Sequence, residues 1–132
     1  MTLSGTGWER LKEYCLNLLD LLQARPQVLR LMAEFDAIYA GPYPDIPEAK
    51  DYVVSMKRIH NTTAQLVLNG LGDHSIASID NPDLFASVLE NTVFGLAIRY
   101  FPREAHFLEE HSHGGREVIA CAIDRFMESV KP

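Results

Sequence analysis

The densest set of chemistry-bearing side chains is His106, Glu109, Glu110, His111, Ser112 and His113. Imidazoles and carboxylates so placed can hold zinc or nickel. On a helix His106 and Glu110 share a face, but His111 and His113 fall where a helix must end, just before Gly114-Gly115. The expectation is a hydrated polar connector and no metal. His60 is the second candidate. It lies at the edge of an apolar face, with Tyr52, Met56 and Thr63 at helical spacing. Either it is a core-edge histidine bonded to a backbone carbonyl, or it is a polar contact inside a ligand cavity. Asp36, close to Met32 and Phe35, reads as a solvated acid.

Catalytic signatures are missing. There is no Walker-type loop, dinucleotide fingerprint, Cys-x-x-Cys or Gly-x-Ser-x-Gly. No enzyme activity and no cofactor are expected; a small helical enzyme would need a clustered acid–base pair, which only the His-rich connector approaches. Aromatic and thioether side chains instead recur on inward-facing positions: Tyr14, Met32, Phe35, Tyr39, Tyr52 and Met56. Such stripes usually form plain core. A buried Tyr hydroxyl needs a partner and Met adapts to varied shapes, so the same residues suit an apolar pocket with a few polar anchors.

The elements that position these residues are helices punctuated by Pro and Gly. A first helix is expected over Gly7 to Ala24, with Trp8, Leu11, Tyr14, Cys15, Leu18, Leu19, Leu21 and Leu22 on one face. Pro26 opens a second, to about Tyr39, as a first-turn Pro loses no hydrogen bond. Asp45-Ile46-Pro47-Glu48 has capping-box spacing and starts a third, which Gly70 and Gly72 end as left-handed C-terminal positions. Asn81-Pro82-Asp83 opens a fourth, to about Phe101, and Pro102 breaks it. A short connector helix spans Arg103 to Glu110, and the last helix runs from Gly115 to Val130. The expected class is all-α: an antiparallel bundle of five long helices plus a connector.

The fourth helix is apolar nearly all round, interrupted only by Ser87, Glu90, Asn91 and Arg99. A helix of that kind is buried nearly all round. With the last helix, it suggests an isologous homodimer in which each copy gives two helices to a four-helix seam. The alternative is a fourth helix that is simply central in a monomer.

The totals agree with one domain: 132 residues, 47% hydrophobic, 23% charged. A chain this long buries a sizeable core without metal or disulfide. With 12 basic residues scattered against 18 acidic ones, the net charge is −6, and direct nucleic-acid binding is not expected. No apolar run spans a membrane and no signal peptide is visible, which places the protein in the cytoplasm. Cys15 and Cys121 are expected to be reduced packing thiols.

The segment Gly70-Leu71-Gly72-Asp73-His74-Ser75-Ile76-Ala77-Ser78-Ile79-Asp80-Asn81-Pro82-Asp83-Leu84-Phe85-Ala86 resembles a stretch of TetR/AcrR transcriptional regulators. There a long helix ends in a Gly-x-x-Asp-Gly-Ser-Ile-like turn, and Asp-Pro or Asn-Pro opens the next. Gly95-Leu96, Gly7-Trp8-Glu9-Arg10-Leu11 and Glu34-Phe35-Asp36 resemble further parts of the family pattern. His74 departs from it, standing where the family often has Gly. The family's N-terminal helix-turn-helix is also missing before Gly7. The resemblance therefore implies an effector-binding and dimerisation half that reads DNA only through a separate domain. It implies a small apolar or amphipathic effector held by Tyr14, Leu18, Met32, Phe35, Tyr39, Tyr52, Met56, His60 and Thr63. It implies a dimer seam of Phe94, Ile98, Phe101, Ile119, Ile123, Phe126 and Met127. A ligand-free structural dimerisation module is the rival reading.

Overall fold

The computed structural model describes residues 5–132. Every regular element among them is helical: α1 (Gly7–Gln23), α2 (Pro26–Ile38), α3 (Pro47–Gly72), α4 (Pro82–Tyr100), a 3-10 turn (Phe101–Arg103), α5 (Glu104–His111) and α6 (Gly115–Ser129).

The caps show why the chain breaks where it does. Thr6 and Glu9 form a reciprocal capping box at the start of α1: Glu9 N–H donates to Thr6 Oγ1 (3.2 Å), and Thr6 N–H to Glu9 Oε2 (3.1 Å). The expected box at Asp45 does not form. Pro47 takes the first helical position, Ile46 precedes it without a side-chain cap, and Asp45 pairs with Lys50 (2.8 Å). Asn81 caps α4 as its sequence suggests, accepting from Leu84 N–H at 3.1 Å.

The end of α3 also differs from expectation. The helix runs through Gly70 to Gly72, and the left-handed residue comes later, at His74 (φ 63°). Gly70 serves close approach instead. A Cβ placed on Gly7 would fall on the Gly70 backbone and lie 2.8 Å from the Asn69 carbonyl carbon, so α1 and α3 touch backbone to backbone. Asp73 then fastens the crossing. Its carboxylate accepts Gly7 N–H (2.7 Å), Ser75 N–H (2.9 Å) and the Ser75 hydroxyl, while Ser75 Oγ accepts Trp8 N–H (2.8 Å). These bonds, led by that from Ser75, hold the Asp73 carboxyl below its ordinary range.

From that crossing α1 and α3 run past one another in opposite directions, through Tyr14 beside Thr63 to Leu18 and Ile59 on one cavity wall. Helix α6 returns along α1, tied by Trp8 Nε1–H to the Met127 carbonyl (2.8 Å), by Lys12–Asp124 (3.1 Å) and by Arg116–Asp20. Against α4, α6 carries Phe126 near Phe85 at one end and Gly115 against Phe101 at the other. Glu104, the first residue of α5, accepts Gly115 N–H at 2.9 Å and so caps α6.

The core lies between these helices: Leu11, Leu19, Val67, Leu89, Val93, Ile119, Ile123 and Met127 are each at most 1% exposed. Helix α2 is different, with Leu29 its only buried residue. The helical run Pro82–His111 has the length and composition of a membrane span, with a mean hydropathy of 1.2 in its most apolar stretch. Its inward stripe, Ala86, Leu89, Val93 and Ala97, packs as in a core helix, but only 33% of that apolar stretch is buried. Much apolar surface of α4 therefore faces outward.

Candidate functional site: an apolar cavity among α1 to α4

A cavity of about 390 Å³ opens between α1, α2 and α3, with Phe94 of α4 at its back. Its walls are Leu18, Leu21 and Leu22 from α1, Val28, Leu31, Met32 and Phe35 from α2, and Tyr52, Ser55, Met56 and Ile59 from α3. Among the described residues no charged side chain lines it. Leu21, Val28 and Leu31 are 48%, 42% and 65% exposed, so the mouth lies where α2 crosses α1. Volume and chemistry suit a small apolar ligand.

Five of the nine expected pocket residues meet here: Leu18, Met32, Phe35, Tyr52 and Met56. Tyr39 does not line the cavity; it packs on Phe35 with ring centroids 4.8 Å apart. Tyr43, which sequence reasoning passed over, joins the same aromatic group, its ring 5.7 Å from Phe35 and 6.3 Å from Tyr52. Asp36 is exposed, the solvated acid its position suggests, and its charge acts on Tyr52. Burial first, and then Asp36, push the Tyr52 hydroxyl above its ordinary pKa.

Tyr14, His60 and Thr63 fall one helical turn behind the wall, on the same helices. Thr63 is 1% exposed; its hydroxyl donates to the Ile59 carbonyl (3.1 Å) and is paired with Tyr14. Burial pushes the Tyr14 hydroxyl up. His60 joins α3 to α4. Its Nε2–H donates to Asp83 Oδ1 (2.8 Å) and its Nδ1–H to Glu90 Oε1 (3.0 Å), with Ser87 Oγ at 3.5 Å. Ionised carboxylates only accept, so this arrangement needs a proton on both ring nitrogens. Asp83 foremost, with Glu90, raises the His60 pKa against the opposing pull of burial. Sequence spacing placed His60 at a core edge; it gave no sign of these two acids, which lie on another helix.

The cavity walls that were missed (Leu21, Leu22, Val28, Leu31 and Ile59) belong to the same apolar stripes as the residues that were named. Phe94 is a correction of another kind. Expected in a dimer seam, it is 8% exposed and backs the cavity. Phe101, Ile119, Ile123 and Met127 are likewise 7%, 0%, 1% and 0% exposed within the chain itself. On α6 the stripe at 119, 123 and 127 is the core stripe, so these side chains cannot reach a partner. Ile98 and Phe126 remain half-buried. The outward apolar surface is a different stripe: Leu84, Phe85, Val88 and Leu96 on α4, with Ala122 and Phe126 on α6.

The His-rich connector holds separate contacts. His111 stacks on Phe107 (5.4 Å between centroids), and His113 sits 3.4 Å from Glu117. Among the described residues no group of three His, Cys, Asp or Glu side chains is placed to hold a metal ion. Cys15 is buried and its thiol is pushed up to about 12 by desolvation. Cys121 is exposed, not a packing thiol.

Compared with protein-family models, curated proteins and solved structures, the chain matches none.

Proposed function

We propose that this chain is the ligand-sensing and dimerisation module of a TetR-like transcriptional regulator, built as an antiparallel helical bundle. The observation that carries the reading is the uncharged cavity among α1, α2, α3 and Phe94, open where α2 is least buried. An uncharged recess of this volume, open to solvent, offers a small apolar molecule a place to bind. The order of sequence motifs adds the family. The outward stripe on α4 and α6 adds the second copy, since large contiguous apolar patches mark interaction surfaces. The effector is small and apolar or amphipathic. DNA is read by a domain outside this chain, in the cytoplasm. An effector that prefers one arrangement of the two copies would shift their population and so change the spacing of the readers.

The test is a thermal-shift screen with aromatic, alkyl and drug-like compounds. A ligand present at about 100 times its Kd adds about 2.7 kcal/mol of stability, several degrees in Tm. Met56→Trp, which fills the cavity, should remove the shift while the helical signal persists. If no compound shifts the protein, or Met56→Trp binds as before, the cavity is not an effector site.

A further inference from the structure

Glycine inside a helix weakens it, and most of the helical glycines here are matched by a contact. Gly7 lies on the Gly70 backbone, Gly70 makes room for Ile76, and Gly115 meets Tyr100, Glu104 and Phe101. Gly72 is the last residue of α3, where the helix is ending anyway. Gly95 is different. It lies inside α4, it is exposed, and a Cβ built on it would meet nothing within 4 Å. The notch it leaves in α4 serves no contact within the chain.

The notch stands on the outward stripe of α4. Leu84, Val88, Asn91, Gly95 and Arg99 recur three or four residues apart, so they line up on one face, and all five are exposed. At 1.5 Å per residue the stripe is about 22 Å long. Between Leu84 and Ile98 the sole charged residue is Glu90, which turns inward to His60. In a chain of net charge −6, two copies can therefore meet along this face without facing like charges. Its polar hydrogens are paired already. Asn91 Nδ2–H donates to the Ser87 carbonyl (2.8 Å) and the Thr92 hydroxyl to the Val88 carbonyl (2.7 Å). The Arg99 guanidinium stacks over Phe107 of its own chain, 5.0 Å from the ring centroid. Covering the stripe thus strands few polar groups.

Two-fold symmetry makes such a face self-complementary: if one residue meets a second, the second meets the first. Val88 is the apolar knob of the stripe and Gly95 its hole. Setting Val88 over the partner's Gly95, with the helices antiparallel, brings Leu84 over the partner's Arg99, whose charge is drawn off to Phe107. It also sets Asn91 beside the partner's Thr92 at the axis, so that apolar steps flank one polar step. Resting on the dimer of the proposed function, we infer that α4 docks antiparallel on α4 of a second copy, the Val88 side chain of each seated in the notch left by Gly95 of the other. Half-buried Phe85, Leu96 and Phe126 border the contact.

The experiment combines sedimentation of the full chain with cysteine pairing. Gly95→Gln fills the notch. It should raise the dimer Kd about tenfold or more, as overpacking of a tight contact does. The urea midpoint of the dilute monomer should rise instead, because Gln is the better helix former. A glycine needed only within its own chain would not move the two in opposite directions. For pairing, Cys121→Ser is the background, since Cys121 is exposed. The double variant Val88→Cys, Gly95→Cys should link two copies on mild oxidation. Either cysteine alone should not, because each lies about 10 Å along the helix from its own counterpart, beyond the reach of a disulfide. An unchanged Kd for Gly95→Gln, or single cysteines linking as readily as the pair, overturns this docking and leaves a dimer built on another face. A parent chain that stays monomeric at micromolar concentration overturns the docking and the dimer together, while the thermal-shift screen still decides the cavity.

Discussion

Gly7→Ala is a small change whose sign the structure determines. Alanine is ordinarily the better helix residue by about 0.5–1 kcal/mol. Here the added methyl would overlap the Gly70 backbone and lie 2.8 Å from the Asn69 carbonyl carbon, where ordinary contact is 3.4–4 Å. Backbone atoms cannot swing aside as a side chain does. Either α1 lifts from α3 by about 1 Å, or its first turn unwinds. Overpacking of this kind costs about 1–3 kcal/mol, and lifting α1 also stretches the Trp8 N–H bond to Ser75 Oγ, 2.8 Å long, which is worth about 1 kcal/mol. The net expectation is a loss of about 2 kcal/mol. In urea, with a slope of about 2 kcal/mol/M for a domain this size, the midpoint falls by about 1 M at unchanged slope. Far-ultraviolet circular dichroism reads it. Gly95→Ala is the control of opposite sign. It is also helical, but its added methyl meets nothing within 4 Å, so monomer stability should rise by about 0.5–1 kcal/mol. A Gly7→Ala midpoint equal to or above the starting protein refutes the tight crossing.

Four further outcomes follow from features described above. The His60 pKa is raised on folding, so its stabilising contribution is complete below about 6.5, the unfolded value, and is lost as pH rises through the higher folded value. Tm should fall across that window, and His60→Gln should flatten the fall. The Asp73 carboxyl is held low, so its contribution is present above its ordinary value of 3.8 and disappears as pH drops through the lower folded value; Asp73→Asn should blunt the acid transition seen by tryptophan fluorescence. Met127→Ala, in the core at 0% exposed, should cost about 2–5 kcal/mol at any protein concentration. Val88→Glu, on the outward stripe at 45% exposed, should instead turn the proposed dimer into monomer in sedimentation while helix content holds. A monomeric parent protein at micromolar concentration would remove the dimer.

Much of the helical layout was legible because local chemistry decides it. Pro26, Pro82 and the Asn81 cap open helices where side-chain and ring geometry require. The end of α3 was not legible, because a tertiary contact decides it. Gly70 looks like a stop signal, yet its missing Cβ makes room for Ile76, and its backbone lies against Gly7 of α1. Pocket residues were readable as apolar stripes. Periodicity could not say which edge of a stripe faces a void and which faces solid core. Phe94 and Met127 both lie on apolar stripes, and what packs opposite each is not written in its own helix. The partners of His60 were invisible for the same reason, as 23 and 30 residues separate it from Asp83 and Glu90.

Helix α2 buries only Leu29 fully, with Leu31 and Ile38 65% and 72% exposed. Such a segment opens at low free energy, far below global unfolding. Its amides should therefore exchange with deuterium earliest among the long helices. Anything that occupies the cavity covers the wetted side chains of this helix and slows that exchange. Dehydrating those side chains also lowers the heat capacity. Binding should thus grow more exothermic with temperature, and the helix that contributes least to the folded core would set the calorimetric signature of the whole protein.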